Sequence, residues 1–500
     1  MRGAAERTPS MATGLTWTLA TMVSTRLVTL VGLALLARLL APDDFGLLAF
    51  ALVYTTYVTA VGDLGTGMAL IYWPSRRDDA AQVTFAVSVV MGSIWMGATI
   101  LLASDIAAFF ESPTGAPVLI AIAASLPIQA LGSAHEALCR KSLRFRAWLV
   151  PELALAAVKA VVSIVLAIGG FGVWSLVWGH LAGHLLRTAL LWAIVPWRPT
   201  LRIPWDLIPP MFAYGRSIVA VNVLSAIVHH ADLLIVARLL GVTALGFYQM
   251  ASKIPEMTIT LLVRAVSYVL FPALSRVHAE GRNPAVTYMT TLRGVGLVTV
   301  PAAVGLVMMA EPLVLILFGA TWLPSVPVVQ ALTVVASLRA LGTHAGDLLK
   351  ASGRPGSLVV LAAVKAAVLI PALVLTAQGG IVAVSQTIAG VTAITTMLDI
   401  AVACAYTRTS GWSVLSTLRP GAAGGVAVFG GLVLVQAGLP AATPPTALAV
   451  SLASALATYV CMVRITTPEL YGQILLYGRQ VAARVRTHRA NPDLNAEDHP

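Results

Sequence analysis

Along this chain apolar residues run in blocks of roughly 20 or more, the length that crosses about 30 Å of hydrocarbon as a helix, separated by short polar turns. The blocks predict spans at Gly14–Leu40, Phe45–Trp73, Ala81–Ala103, Ala116–Leu138, Val150–Ile168 and Phe171–Ile194. After a polar stretch they resume at Met211–Leu240, Leu245–Leu274, Ala285–Met309, Pro324–Leu349, Ser357–Thr376 and Ile381–Ala405. A last pair, Gly421–Ala437 and Pro445–Val463, carries no charge. A transmembrane barrel would instead show short alternating strands. The pattern predicts an all-α integral membrane protein with about 14 transmembrane helices.

The pattern also repeats. Ala-Arg-Leu-Leu ends an apolar helix at Arg38 and again at Arg238, four turn residues follow, and Gly46 or Gly246 opens the next run. Ala-Ala-Val-Lys-Ala occurs around Lys159 and around Lys365, each time ahead of a Gly-Gly turn, at Gly169–Gly170 and Gly379–Gly380. Two repeats in the same order at offsets of 200 and 206 predict two pseudo-symmetric six-helix bundles, over 14–194 and 211–405. Between them lies a linker, 195–210, whose Trp197, Trp205, Arg198 and Arg202 suit a headgroup interface. The extra helix pair occupies 419–463. A basic tail, 464–500, carries Arg479, Arg484, Arg486 and Arg489 beside apolar residues and suits an anionic leaflet.

Composition agrees: 58% of the 500 residues are hydrophobic, 11% are charged, and the mean hydropathy of +0.86 excludes a soluble globule. The net charge of +11 does not point to nucleic acid, because most cations sit in short loops between spans. No Lys or Arg lies between Arg77 and Arg140, Lys159 and Arg187, Arg293 and Arg339, Lys365 and Arg408, or Arg419 and Arg464. Those gaps hold alternate loops, so the positive-inside rule predicts a multi-pass protein with both termini cytoplasmic. Cys139, Cys404 and Cys461 are scattered through apolar runs and read as core residues.

Candidate chemistry lies in ionisable residues within spans, each costing about 2.5 to 3.5 kcal/mol at a helix centre unless hydrated or paired. The cations are Arg26, Lys159, Arg216, Lys253, Arg264, Arg293, Arg339 and Lys365; the clear anions are Asp63, Asp232, Glu256 and Asp399. Arg26, Lys159, Arg264, Arg339 and Lys365 are too central to snorkel easily and are the candidate substrate-binding cations of a watered, anion-attracting cavity. Arg216 and Arg293 either share that role or snorkel to the cytoplasmic interface. Lys253 and Glu256 are either a structural pair on one helix face or part of a ligand site. Asp63 is expected near Arg26 as a pairing partner. His229, His230 and Asp232 cluster in one span and are candidates, with Asp63, for coupling or conformational pairing. Arg38 and Arg238 at helix C-termini read as structural. His180 and His184 have metal-pair spacing without further ligands, so no metal is expected. No nucleotide-binding loop, zinc motif or nucleophile elbow is found; the chain reads as a non-enzyme without cofactors.

The segments Ala37–Tyr54, Val61–Ile71, His229–Glu256 and Val269–Gly281 resemble polysaccharide transporters, the lipopolysaccharide, O-antigen and exopolysaccharide flippases of the multidrug/oligosaccharidyl-lipid/polysaccharide exporter superfamily. The resemblance implies movement of an undecaprenyl-pyrophosphate-linked oligosaccharide from the cytoplasmic to the outer leaflet by alternating access. It implies as partners the lipid-linked oligosaccharide, membrane lipids, and a polysaccharide polymerase with chain-length machinery. A multidrug antiporter suits a cationic cavity poorly. A peptidoglycan-precursor flippase differs only by general resemblance, and a glycan polymerase or ligase would need a large outer loop that the short turns exclude.

Overall fold

The computed structural model describes residues 11–73, 75–142, 145–200, 202–280, 282–352, 356–438, 444–466 and 468. Side chains of 11–23, 145–147 and most of 260–279 fall outside that description, as does the predicted tail from 469 onward. The first part of the chain forms α1 (Met11–Leu39), α2 (Pro42–Val61), α3 (Thr66–Tyr72), α4 (Arg77–Phe109), α5 (Gly115–Ala123), α6 (Ser125–Lys141), α7 (Phe145–Ile168) and α8 (Val173–Ile194). Then come α9 (Ile208–Ala279), α10 (Ala285–Met308), α11 (Ala310–Leu317), α12 (Val326–Ala351), α13 (Gly356–Thr376) and α14 (Gly380–Thr407). The last two are α15 (Gly411–Gly438) and α16 (Pro444–Thr466), and the described residues contain no strand. This is a multi-pass, all-helical membrane protein: ten described segments are long and apolar enough to cross a bilayer.

Two of those ten, 205–259 and 357–407, are too long for one crossing at 1.5 Å per residue. In the first, Gly241 has φ 83° and ψ 177°, a left-handed conformation open to glycine but strained for other residues, and the chain reverses there. The reversal is visible in Asp232, which accepts a 2.8 Å hydrogen bond from Tyr248 on the returning arm. The predicted span Phe45–Trp73 is also two helices, α2 and α3. Asp63 accepts backbone N–H bonds from Gly65 and Gly67 at 2.9 and 3.0 Å, so its carboxylate satisfies the orphan donors opening α3.

Helices α1 to α8 pack largely on one another: α7 against α1 and α8, and α6 against α4 and α8. Helices α9 to α14 do the same around α12, while α15 packs on α10 and α16. Small residues permit the closest approaches, as expected where lipid tails supply no hydrophobic drive for helix association. A Cβ on Gly179 of α8 would lie 2.8 Å from the Lys159 carbonyl of α7, and one on Gly421 of α15 would lie 2.4 Å from the Gly296 carbonyl of α10.

The two groups meet mainly where α2 crosses α9. At the end that the charge pattern predicts to be outer, Gly46 and Gly246 bring these helices backbone to backbone. Asp43 accepts a hydrogen bond from Thr243. Arg38 reaches across to the Ile316 carbonyl at 2.6 Å, and Arg238 reaches back to Glu111 at 2.6 Å. The largest buried cluster, including Phe45, Leu245, Tyr248 and Trp322, lies around this crossing. Trp322 seals it by donating to the Ala37 carbonyl at 2.9 Å. At the opposite end Gly65 abuts Gly215, Tyr72 stacks on Tyr214 at 4.8 Å, and Arg76 pairs with Asp206. The pairing holds the Arg76 guanidinium still further above its ordinary pKa, first through Asp206 and then through Asp79, so this contact keeps its charge.

Candidate functional site

Between the two ends lies a cavity of about 700 Å³. Its walls are Thr56 and Thr59 of α2, residues from Asn222 to Leu233 and from Tyr248 to Glu256 on the two arms of α9, and residues from Leu332 to Thr343 of α12. The reversal at Gly241 is what places two arms of one helix on the same wall. Polar lining groups alternate with small apolar ones, which gives a surface able to hold water and a polar guest.

Of the candidate residues, His229, His230, Asp232 and Arg339 all line this cavity, together with Lys253 and Glu256. Lys253 Nζ lies 3.0 Å from Glu256 Oε2, one helical turn along the same face. Arg26 of α1 pairs with the other oxygen, Glu256 Oε1, at 3.5 Å. Asp63, expected to pair with Arg26, instead caps α3, because the chain breaks at 62–65 and its carboxylate has backbone donors at hand. Arg339 has no carboxylate within ion-pair distance among the described residues, and its side chain is exposed toward the cavity. His229 Nδ1 lies 2.8 Å from the Ser225 carbonyl, so that nitrogen carries the proton and Nε2 is left as an acceptor.

Asp232 is engaged by Tyr248 and by the Leu233 N–H. Three basic side chains, Lys253 and Arg339 in the lining and Arg26 beside it, thus stand against two carboxylates, Glu256 and Asp232, and both carboxylates already have partners. The basic side chain left to meet a guest is Arg339, among neutral hydrogen-bonding groups that include His229 Nε2.

Neither Lys159 nor Lys365 is among the lining residues. Lys365 is bound to Asp399 of α14 at 2.6 Å. Lys159 sits against α8, where a Cβ on Gly183 would lie 3.3 Å from its own Cβ, and no described carboxylate pairs with it. The side chain of Arg264 falls outside the described residues. The His180 and His184 rings lie 4.4 Å apart, tilted by 57°, but the described residues contain no group of three ligands able to hold a metal.

A second cavity, about 400 Å³, lies within the first group of helices and is lined by Asp63, Gln129, Glu136, Glu152, His184 and Arg187 among others. Arg187 donates to Glu152 Oε1 and to Glu136 Oε2, both at 2.7 Å. This triad is absent from the sequence reading, although Glu136, Glu152 and Arg187 are ionisable residues inside predicted spans and the same rule applies to them. Tyr248 and Asn222 of the central cavity gave no signal, since neutral polar residues in a span are not conspicuous.

The model of the family described as polysaccharide biosynthesis protein matches residues 35–327. The succinoglycan biosynthesis transport protein ExoT of Rhizobium meliloti (strain 1021) is 23% identical over 318 residues, 64% of each chain, so the match spans just under two thirds of that relative. The lipopolysaccharide biosynthesis protein WzxC of Escherichia coli (strain K12) is 25% identical over 355 residues, 70% of this chain and 71% of that one. Among solved structures the fold resembles the lipid II flippase MurJ in an inward closed conformation, with a TM-score of 0.75 at 15% identity over 90% of this chain and 98% of that one. With the family model matching 35–327, more than half of the 500 residues, the chain belongs to the polysaccharide biosynthesis protein family.

Proposed function

We propose that this protein is a flippase, not an enzyme, which moves an undecaprenyl-pyrophosphate-linked oligosaccharide from the cytoplasmic to the outer leaflet of the bacterial inner membrane. The observation that carries this reading is the polar cavity of about 700 Å³ between the helical halves, with Arg339 unpaired among the described residues and Arg26 and Lys253 beside it. A diphosphate matches those cations by charge-assisted hydrogen bonds. Sugars match the Thr, Asn, Ser, His and Gln lining, and a polyprenyl tail stays in lipid at the seam between halves.

Transport follows alternating access between units 14–194 and 211–405, joined by 195–210, with 419–463 as an appended pair and 464–500 as a basic tail on the inner leaflet. The termini are cytoplasmic in this reading, so the Gly46–Gly246 crossing is the outer closure. Substrate enters from the cytoplasmic side, the crossing parts, and the headgroup leaves outward. Polymerase and chain-length proteins would receive it.

The test is a deletion strain assayed by leaflet-selective labelling of lipid-linked saccharide. Saccharide trapped on the cytoplasmic leaflet and released by the wild-type gene supports the reading. Normal saccharide export with altered drug tolerance would replace it by a multidrug antiporter, and trapping of the peptidoglycan precursor alone would replace it by a cell-wall flippase.

A further inference from the structure

We propose that Glu256 is a built-in stand-in for the substrate anion: its carboxylate holds Arg26 and Lys253 until an incoming diphosphate displaces it and takes both cations. The inference rests on the anionic-substrate reading above and adds to it a residue that decides when these cations pass to the cargo.

The geometry is that of a bridging anion. Each oxygen of Glu256 meets a different cation, Oε1 with Arg26 Nη1 at 3.5 Å and Oε2 with Lys253 Nζ at 3.0 Å. The cations come from different helices, Arg26 from α1 and Lys253 from α9. Glu256 lines the cavity, so a guest anion has direct access to it. The Arg26 and Glu256 side chains are 32% and 42% exposed, so neither is enclosed by packing and a guest can reach the pair. A diphosphate carries more negative charge and more acceptor oxygens than one carboxylate, and Arg339 on the facing wall adds a third cation for it.

The consequence concerns the seam. The described ion pairs between the two groups of helices are Arg238–Glu111 near one end, Arg76–Asp206 near the other, and Arg26–Glu256 at the cavity. Of these, only Arg26–Glu256 has a partner that faces the guest. Exchange of Glu256 for a diphosphate therefore replaces a tie between α1 and α9 held by the protein with one that runs through the cargo, from Arg26 to Lys253, and lapses when the cargo leaves. Pro255, next to Glu256, has no N–H to donate, so the helix has one backbone hydrogen bond fewer to resist movement there. A tie that runs through the cargo makes the seam differ between the loaded and the empty chain, and a guest that differs in affinity for two states is what shifts a conformational equilibrium.

The experiment uses the purified full-length chain with inorganic pyrophosphate as probe, measured by calorimetry. E256Q, which keeps shape and loses charge, should bind pyrophosphate about tenfold tighter than wild type, and R26Q added to it should remove the gain. E256D, which keeps the charge, should bind like wild type. Equal or weaker binding by folded E256Q, with binding by wild type intact, overturns the stand-in role and leaves the anion-binding cavity standing. No binding by wild type or E256Q overturns both. A second measurement needs no variant: saturating pyrophosphate, by freeing the Glu256 carboxylate from both cations, should speed its reaction with a carboxyl-directed label in the wild-type chain, read by mass spectrometry. Unchanged or slower labelling of Glu256 overturns the proposal even if E256Q fails to fold.

Discussion

Gly46 and Gly246, 200 positions apart in the chain, meet backbone to backbone: a Cβ on Gly46 would lie 1.8 Å from the Val242 carbonyl oxygen, and a Cβ on Gly246 would lie 2.1 Å from that of Pro42. The partners are reciprocal under the repeat offset, Pro42 corresponding to Val242 and Gly46 to Gly246, so a local two-fold axis passes through this crossing. Asp43 and Thr243, bonded to each other, obey the same relation. A duplicated helix start has thus become a self-complementary contact.

Because the atoms in the way are backbone, no side chain can turn aside to admit a methyl group. G46A and G246A should each cost about 1 to 3 kcal/mol, the usual range for overpacking. Thermal melting of the purified chain should show the loss in both variants, whereas Ala at Gly430, where no atom lies within 4 Å of an added Cβ, should melt like wild type.

Arg38 and Arg238 extend that contact, each reaching from its own helix end to the other group's segment before a short turn. The Arg238–Glu111 pair is largely exposed at Glu111, so E111Q alone should cost no more than about 1 kcal/mol. Losing both arginines removes reciprocal ties from the closure. A cysteine placed at Asn222 in the cavity should react several times faster with an impermeant thiol reagent from outside in R38A/R238A than in the otherwise wild-type chain. Equal rates would show that these cations are only helix caps.

Arg339 faces the cavity without a carboxylate partner, so its removal orphans nothing on the described protein side and subtracts only from the guest. A charge-assisted hydrogen bond contributes about 1.5 to 3 kcal/mol, which corresponds to roughly 10- to 100-fold in transport. R339Q should show that loss in the leaflet-labelling assay with its melting temperature unchanged, and R339K should recover part of it.

Lys365 and Lys159 occupy matching places in the repeat but differ in partners. K365M strands Asp399, whose side chain is only 10% exposed while that of Lys365 is 28% exposed. After discounting for that hydration, a cost of about 2 kcal/mol is expected, below the 3 to 5 kcal/mol of a fully buried pair. Adding D399N should restore most of it. K159M, which strands no described carboxylate, should leave melting unchanged.

The helical class and the repeated strings are both written in local pattern. Each follows from the length of an apolar run or from a short identical string, such as the one around Lys159 and Lys365, and neither requires knowing what touches what. Intramembrane charge is likewise visible locally, because an ionisable side chain in lipid is costly wherever its partner turns out to be. This is why His229, His230, Asp232 and Arg339 could be picked out in advance of any fold.

Partnership was not visible, for a geometric reason. Arg26 and Asp63 share a nearby stretch of chain, yet Arg26 meets Glu256 because α1 crosses α9, and Asp63 turns back to the N–H groups of its own helix break. Lys365 is withdrawn from the cavity by Asp399, and Glu256 is drawn into it by the reversal at Gly241. Order along the chain sets which residues are charged and which run of helix carries them. Which charges meet, and which cancel, depends on contacts between separate helices, from Lys365 with Asp399 to Arg26 with Glu256, and those contacts exist only once the backbones have packed.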